Sequence, residues 1–369
     1  MNKILIYIVL LAAVLFSTNC KKDKTSAPTP SMQIEAGYKS TFVIKADGTL
    51  WATGYNDYAL LGDGTNINRY ALVKIADSVA AVSSSKGDGK FTMVLKKDNT
   101  LWAVGVNVYG QFGNGTTTSA FSLIKIMDAV KAVSAGYFNT MIIKTDNSLW
   151  VTGDNSKGQL GLGNTTDRKT FVKVMDNVKA ISLGENHALI LKLDNTVWAA
   201  GSAIDGQYGV VFLAASKIFV KAIDSVKAIA TGPRNSFIIK TDNTLWATGN
   251  NIGGQLGDGQ TDIRESYIKV LDNVKKIVSR RYHTFAVKTD NTLWSTGLNE
   301  YGCFGDGTSN GRSNFIKVSD NISDVTTGED YTIILKTDNS IWCAGNNEFG
   351  QCGDGITISR SNFSRMYIP

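Results

Sequence analysis

The sequence predicts an all-β fold, a seven-bladed β-propeller of four-stranded blades, and two regularities predict it. Tryptophan occurs seven times, at Trp51, Trp102, Trp150, Trp198, Trp246, Trp294 and Trp342, with a first spacing of 51 residues and every later spacing of 48. A fixed period of this length marks supersecondary units that stack or close into a ring. Each Trp also has Gly three residues after it, as in Gly153 and Gly249, and Asp four residues before it, as in Asp146 and Asp242.

The third unit shows the elements in order. Lys131-Ala132-Val133-Ser134, Thr140-Met141-Ile142-Ile143-Lys144, Leu149-Trp150-Val151-Thr152 and Phe171-Val172-Lys173-Val174 are apolar runs too short for helices and rich in β-branched or aromatic residues. They read as four strands. Asp146-Asn147-Ser148 between the second and third, like Asp47-Gly48-Thr49 in the first unit, is a hairpin signal, because Asn and Gly accept the positive φ of tight turns. Seven such units lie within the usual blade number of a propeller. Nothing like Asp128 to Ala132 follows Phe363, whereas Met32 to Gly37 aligns with Lys131 to Gly136, so the N-terminal strand is expected to complete the last blade and remove its exposed edge.

Trp150-x-x-Gly153-x-Asn155-x-x-Gly158-Gln159-Leu160-Gly161-Leu162-Gly163, with Gly110-Gln111-Phe112-Gly113, Gly254-Gln255-Leu256-Gly257 and Gly350-Gln351-Cys352-Gly353, resembles the signature of the regulator-of-chromosome-condensation repeat family. The resemblance spans roughly residues 32 to 369 and implies a seven-bladed propeller. Blade four departs from it, since Gly206-Gln207-Tyr208-Gly209 runs into Val210-Val211-Phe212-Leu213-Ala214, and a divergent loop is expected there.

Three segments follow. Lys3, the apolar run Ile4 to Phe16 and Ser17-Thr18-Asn19 have the layout of a secretory signal, residues 1–19. Cys20 resembles the lipidated Cys of a bacterial lipoprotein. Residues 20–31 are then a lipid-attachment Cys and a flexible tether too poor in apolar residues to fold, and residues 32–369 are the propeller. The expected location is the bacterial cell envelope, lipid-anchored at the outer membrane or cell surface, with a secreted or periplasmic form as the alternative.

Composition narrows the function. The formal charge of +6 invites a nucleic-acid reading, but Lys3, Lys21, Lys22 and Lys24 precede the propeller. Lys125, Lys173, Lys221, Lys269 and Lys317 recur at one strand phase, as expected of solvated strands that resist pairing with other chains. No nucleic acid is expected. Beyond Cys20, Cys343 and Cys352 fill slots that hold Ala or Leu in other blades and read as small core hydrophobes, while Cys303 replaces the recurring Gln; at most one disulfide can join these three.

Catalytic groups are scarce. His187 and His283, the only histidines, lie eleven residues before their Trp in a slot filled elsewhere by Ser40, Asn139, Asn235 and Tyr331, and read as structural. No phosphate-binding loop or zinc-protease motif occurs. The Gly-Asp-Gly acids Asp63, Asp258, Asp306 and Asp354 come one per blade, unlike the clustered oxygens that Ca²⁺ requires. The chain is read as no enzyme, with no cofactor and no metal.

The surface remains. Residues opposite the Asp-Asn hairpins share one face, where Tyr58, Tyr109, Tyr301 and Phe349 sit seven residues after their Trp and form an arc over blades six, seven, one and two. Tyr38, Tyr137, Phe138, Tyr282 and Tyr331 enter the same face, with Arg280 and Arg281 beside them and Glu185 and Asp205 marking an acidic sector on blade four. Aromatic rings on rigidly held loops are good binding anchors. The function read here is a monomeric, extracytoplasmic protein-binding module or scaffold with an unknown protein partner, held at the membrane by its N-terminal lipid. The resemblance to exported bacterial propellers adds two alternatives, inhibition of an extracytoplasmic enzyme such as a β-lactamase and carbohydrate binding as a lectin.

Overall fold

A computed structural model describes residues 32–87, 89–211 and 215–369; the expected signal, Cys20 and the tether lie outside the described residues. Among these residues the chain forms 28 strands and no helix, arranged as seven four-stranded antiparallel sheets. In the third blade the strands are Val130–Ala135, Asn139–Lys144, Leu149–Gly153 and Arg168–Met175, each paired with the next. The second strands are buried on both faces because blades pack on either side of them, and so read as unbroken apolar runs such as Met141-Ile142-Ile143. Seven apolar clusters fill the seven gaps between neighbouring blades.

Each hairpin carries one repeated chain of contacts. In blade two, Asp98 Oδ1 accepts from the backbone N–H of Thr100 at 3.0 Å and from its hydroxyl at 2.7 Å; that hydroxyl accepts from Trp102 Nε1 at 2.8 Å, and Lys96 Nζ lies 4.4 Å from the Trp ring centroid. The Asp–Trp interval in the sequence is therefore set by hydrogen bonding. These hydrogen bonds hold the hairpin carboxyls, Asp98 and Asp146 among them, below the usual range. Lys125 and Lys173, expected to be merely solvated, pair with Asp128 at 2.7 Å and Asp176 at 2.8 Å.

The ring does not close as expected. Gln33–Ala36 pairs with Ser40–Ile44 in blade one, while blade seven has its own first strand, Ile322–Thr327. Among the described residues no sheet combines strands from both ends of the chain. The N-terminal strand still stands at the closure, where Ile34 and Ala36 pack against Tyr331 and Ile333, and the Ala36 N–H donates to Thr326 Oγ1 at 3.0 Å. Four strands were already present in the last repeat, so packing between sheets was enough. All seven cores and the closure lie between Met32 and Pro369, which makes this segment a self-contained folding unit.

The cysteines also differ from expectation. Cys343 and Cys352 form a disulfide, with Cα atoms 5.5 Å apart, and Cys303 is free and buried. Their slots, filled by Ala and Leu elsewhere, face each other across the third strand and its following loop, so two cysteines placed there meet. The bridge closes a short loop, with nine residues of separation. Reducing it should lower unfolding free energy by about 2–3 kcal/mol. Denaturant melts with and without reductant measure this, and a Cys343→Ala/Cys352→Leu variant should be insensitive to the reductant.

Candidate functional site

The loop between third and fourth strands builds the face opposite the hairpins. One buried Asn organises it in six blades. In blade three, Asn155 Oδ1 accepts from the Leu160 N–H at 3.0 Å, while its Nδ2 donates to the carbonyls of Asn164 and Thr166 at 2.9 and 3.2 Å. The loop then reaches the next blade: the Gly163 N–H donates to Lys217 O at 2.7 Å, and the Phe219 ring lies where a Cβ on Gly161 would sit, 2.2 Å away. Gly161 also has φ of +70°, so both conformation and contact require glycine. Blade four has Ala203 in the Asn slot; Tyr208 is buried there and donates to Gly201 O at 2.5 Å. This lost Asn explains the divergent loop of which residues 212–214 lie outside the described residues.

The scaffold brings most of the expected rings together. Tyr58, Tyr109 and Tyr301 are 42, 40 and 45 % exposed, and Phe349 is half-buried. Tyr55, which the sequence reading missed, joins two blades: its ring centroid is 5.2 Å from Phe349, edge to face, and 6.4 Å from Tyr58. Lysines cover the group, with Lys39 Nζ at 4.7 Å from the Phe349 centroid and 5.2 Å from Tyr38, and Lys90 Nζ at 4.3 Å from Tyr58. Tyr109 and Phe138 form the neighbouring pair at 4.8 Å. The missed residue had a weak signal, since Tyr55 is the one aromatic in a slot that reads Val106, Asp154, Ser202, Asn250, Leu298 and Asn346 in the other blades.

Tyr301 stands apart from this group, in a cleft of about 140 Å³ with Arg281, Tyr282, Glu300 and Asp330. Arg281 pairs with Asp330 at 3.1 Å and Glu329 at 3.5 Å. Tyr137 and Tyr282 line a larger cleft of about 310 Å³, whose wall includes Glu185 and Arg234. Arg234 lies 3.4 Å from Glu185 and 3.8 Å from Asp205, so one cation offsets part of the expected acidic sector.

Three expected surface residues, Asp205, Tyr331 and Arg280, are not on the surface. Tyr331 is fully buried and donates its hydroxyl to Ser40 O at 2.6 Å. Its slot points inward under the turn at Gly328, the same slot that holds the buried His187 and His283. Arg280 ends a first strand and turns into the central channel, where it is buried and donates to Ser85 O at 2.8 Å and Ala36 O at 3.3 Å. Lys86 crosses the same mouth to the carbonyl and hydroxyl of Thr231 at 3.1 and 3.2 Å. Beneath them, burial pushes Glu35 up to about 7 against the pull of Arg280, Lys276 and Lys86. Burial pulls Lys86 down to about 8, with Arg280 adding to the effect.

With this geometry in place, comparison with known proteins decides the family. A family model described as the RCC1-like domain matches residues 89–361. The chain belongs to that family. Its fold is similar to that of Prp20p from Saccharomyces cerevisiae, with a TM-score of 0.76, 18 % identity and coverage of 86 % of this chain and 85 % of that one. It is also similar to human WBSCR16, with a TM-score of 0.73, 20 % identity and coverage of 82 % and 87 %. In sequence, 124 residues are 27 % identical to the human probable E3 ubiquitin-protein ligase HERC4, covering 31 % of this chain and only 12 % of that protein.

The two histidines carry a pH signature. His187 Nε2 lies 3.1 Å from Ser236 Oγ and His283 Nε2 lies 2.6 Å from Thr327 Oγ1. Burial holds both at about 3, aided by Lys86 for His187 and by Arg280 and Arg281 for His283. A folded-state value below the unfolded 6.5 gives stability that is complete above about 6.5 and is lost as pH falls towards 3. His187→Asn and His283→Asn, which install the residue of the matching slot in blades three and five, should flatten the dependence of Tm on pH across this window. The ceiling is roughly 5 kcal/mol per residue, checked by thermal melts at a series of pH values.

Proposed function

We propose that this propeller is an exported, lipid-anchored, non-catalytic module that binds another protein through the aromatic group of its loop face. The observation that carries the reading is the continuous group of Phe349, Tyr55 and Tyr58 over blades seven and one, extended by Tyr109 and Phe138 on blades two and three. Large rings fixed by neighbouring rings bring contact area at low entropic cost. Within the family, Prp20p is described as binding Gsp1p and histones, and yeast RCC1 was crystallised with Kap60, which supports a protein as the partner class. The Cys343–Cys352 disulfide supports export, because such bonds persist in oxidising compartments. Neutral, hydrogen-bonded histidines support a non-catalytic role.

The test uses the propeller as bait in an extract of the host envelope, followed by affinity measurement with the partner identified. Tyr58→Ala and Phe349→Ala should each weaken binding by roughly 1–4 kcal/mol, the range of interface hot spots, while Tm changes little. Lower Tm with unchanged affinity in the folded fraction would make these rings packing residues and remove the proposed site.

Anchoring is tested separately. Mass spectrometry of protein from its native host should find an acylated N-terminal Cys20, and a mature chain starting elsewhere without lipid would rule the anchor out.

A further inference from the structure

The hairpin face is as regular as the loop face is varied, and its charges do not cancel. In each of the first six blades, the hairpin Asp accompanies the Lys stacked on Trp, and the outer-strand Lys pairs with an Asp three residues later, as Lys74 does with Asp77 at 2.7 Å. That pattern is neutral. Superposed on it are Lys97, Lys131, Lys179, Lys227, Lys275 and Arg365, none with a carboxylate partner within ion-pair distance among the described residues. Lys131 and Lys179 are held by neutral groups instead, the side-chain oxygens of Asn147 at 2.7 Å and Asn195 at 3.1 Å, and Lys227 and Lys275 by those of Asn243 and Asn291. Those Asn residues are the hairpin tips, so the surplus cations are spread round the channel on one face. The chain enters the propeller on this face too, because Gln33 pairs with Ile44, just ahead of the first hairpin.

We propose that the hairpin face is a docking surface for a phospholipid bilayer with anionic headgroups, which turns the aromatic loop face away from the membrane. A disc of separated single charges suits a planar anionic surface. A nucleic-acid strand instead needs cations aligned along a groove, with rings free for bases to stack on. Here the seven Trp rings of this face are each covered by a Lys. Met32, the first described residue, precedes the strand that enters on this face. The inference takes from the proposed anchoring only the reason that a membrane is near.

The test is vesicle co-sedimentation of residues 32–369, which carry all seven cores and need no lipid on Cys20. Vesicles of phosphatidylcholine alone and vesicles containing phosphatidylglycerol are compared. Binding is expected only to the second, and it should vanish near 1 M salt, where the Debye length falls to about 3 Å. Lys131→Gln, Lys179→Gln and Lys275→Gln should each weaken it by about fivefold, the factor for ~1 kcal/mol per basic residue near an anionic surface. Lys39→Gln and Lys90→Gln on the loop face should leave it unchanged, with thermal melts confirming that every variant is folded. Equal binding to both vesicles, no binding to either, loss caused by the loop-face variants, or tighter binding to duplex DNA than to anionic vesicles would overturn the proposal. An unacylated Cys20 would end the anchoring reading and leave this result standing, and the reverse also holds.

Discussion

In six of the seven blades the ring rests on one buried asparagine side chain. A loop of fourteen or so residues between the third and fourth strands exposes backbone groups that no sheet satisfies, and buried groups of that kind must find partners. Asn155 and its equivalents supply them from one side chain, accepting from a backbone N–H five residues on and donating to carbonyls nine and eleven residues on. The loop so fixed reaches the outer strand of the next blade, through contacts such as Gly163 with Lys217 and Gly161 with Phe219. Blade-to-blade register is thus set by local hydrogen bonding. Blade four has Ala203 in that slot and lacks the isolated bridge to the following blade among the described residues, yet its loop keeps the glycine contact with that blade, Gly209 against the Tyr267 ring.

A consequence is that the two faces obey different constraints. Each hairpin repeats the same Asp, Thr or Ser, Trp and Lys chain, so this face varies little. On the loop face the Asn and the glycines are committed, but the tip seven residues after Trp is not, and it reads Tyr58, Tyr109, Lys157, Asp205, Gly253, Tyr301 and Phe349 round the ring. Recognition of a particular partner needs variation, and variation is available where side chains hold no structural duty. The hairpin face, uniform and cationic, suits a surface that is itself uniform.

Much of the fold was legible because its causes are local. The Trp period, the Asp-Asn hairpins and the Gly-Gln-x-Gly loops each follow from contacts inside one unit or between neighbours, so one repeat read seven times yields the ring. The site was legible in part. Tyr58, Tyr109 and Phe349 could be placed on one face from strand direction alone. Tyr331 could not, because its position beside a turn does not reveal that its slot points inward, although the sequence holds the hint that the same slot carries His187 and His283. Arg280 likewise looks like a surface residue until the channel is formed around it.

By itself the sequence determined the number of blades, the strands in each, the order of turns and the two faces, because periodicity and turn chemistry are properties of short segments. Tertiary structure alone decided how the ring closes, since the choice between sharing a sheet and packing sheets side by side depends on what Ile34 and Ala36 meet at Tyr331 and Ile333. It also decided that Cys343 and Cys352 meet, that Arg234 reaches both acids of blade four, and that Lys86 and Arg280 reach across to carbonyls of other blades. Each of these is a contact between groups whose separation is set by the curvature of the whole ring or by the facing of two strands, and no single segment encodes that distance.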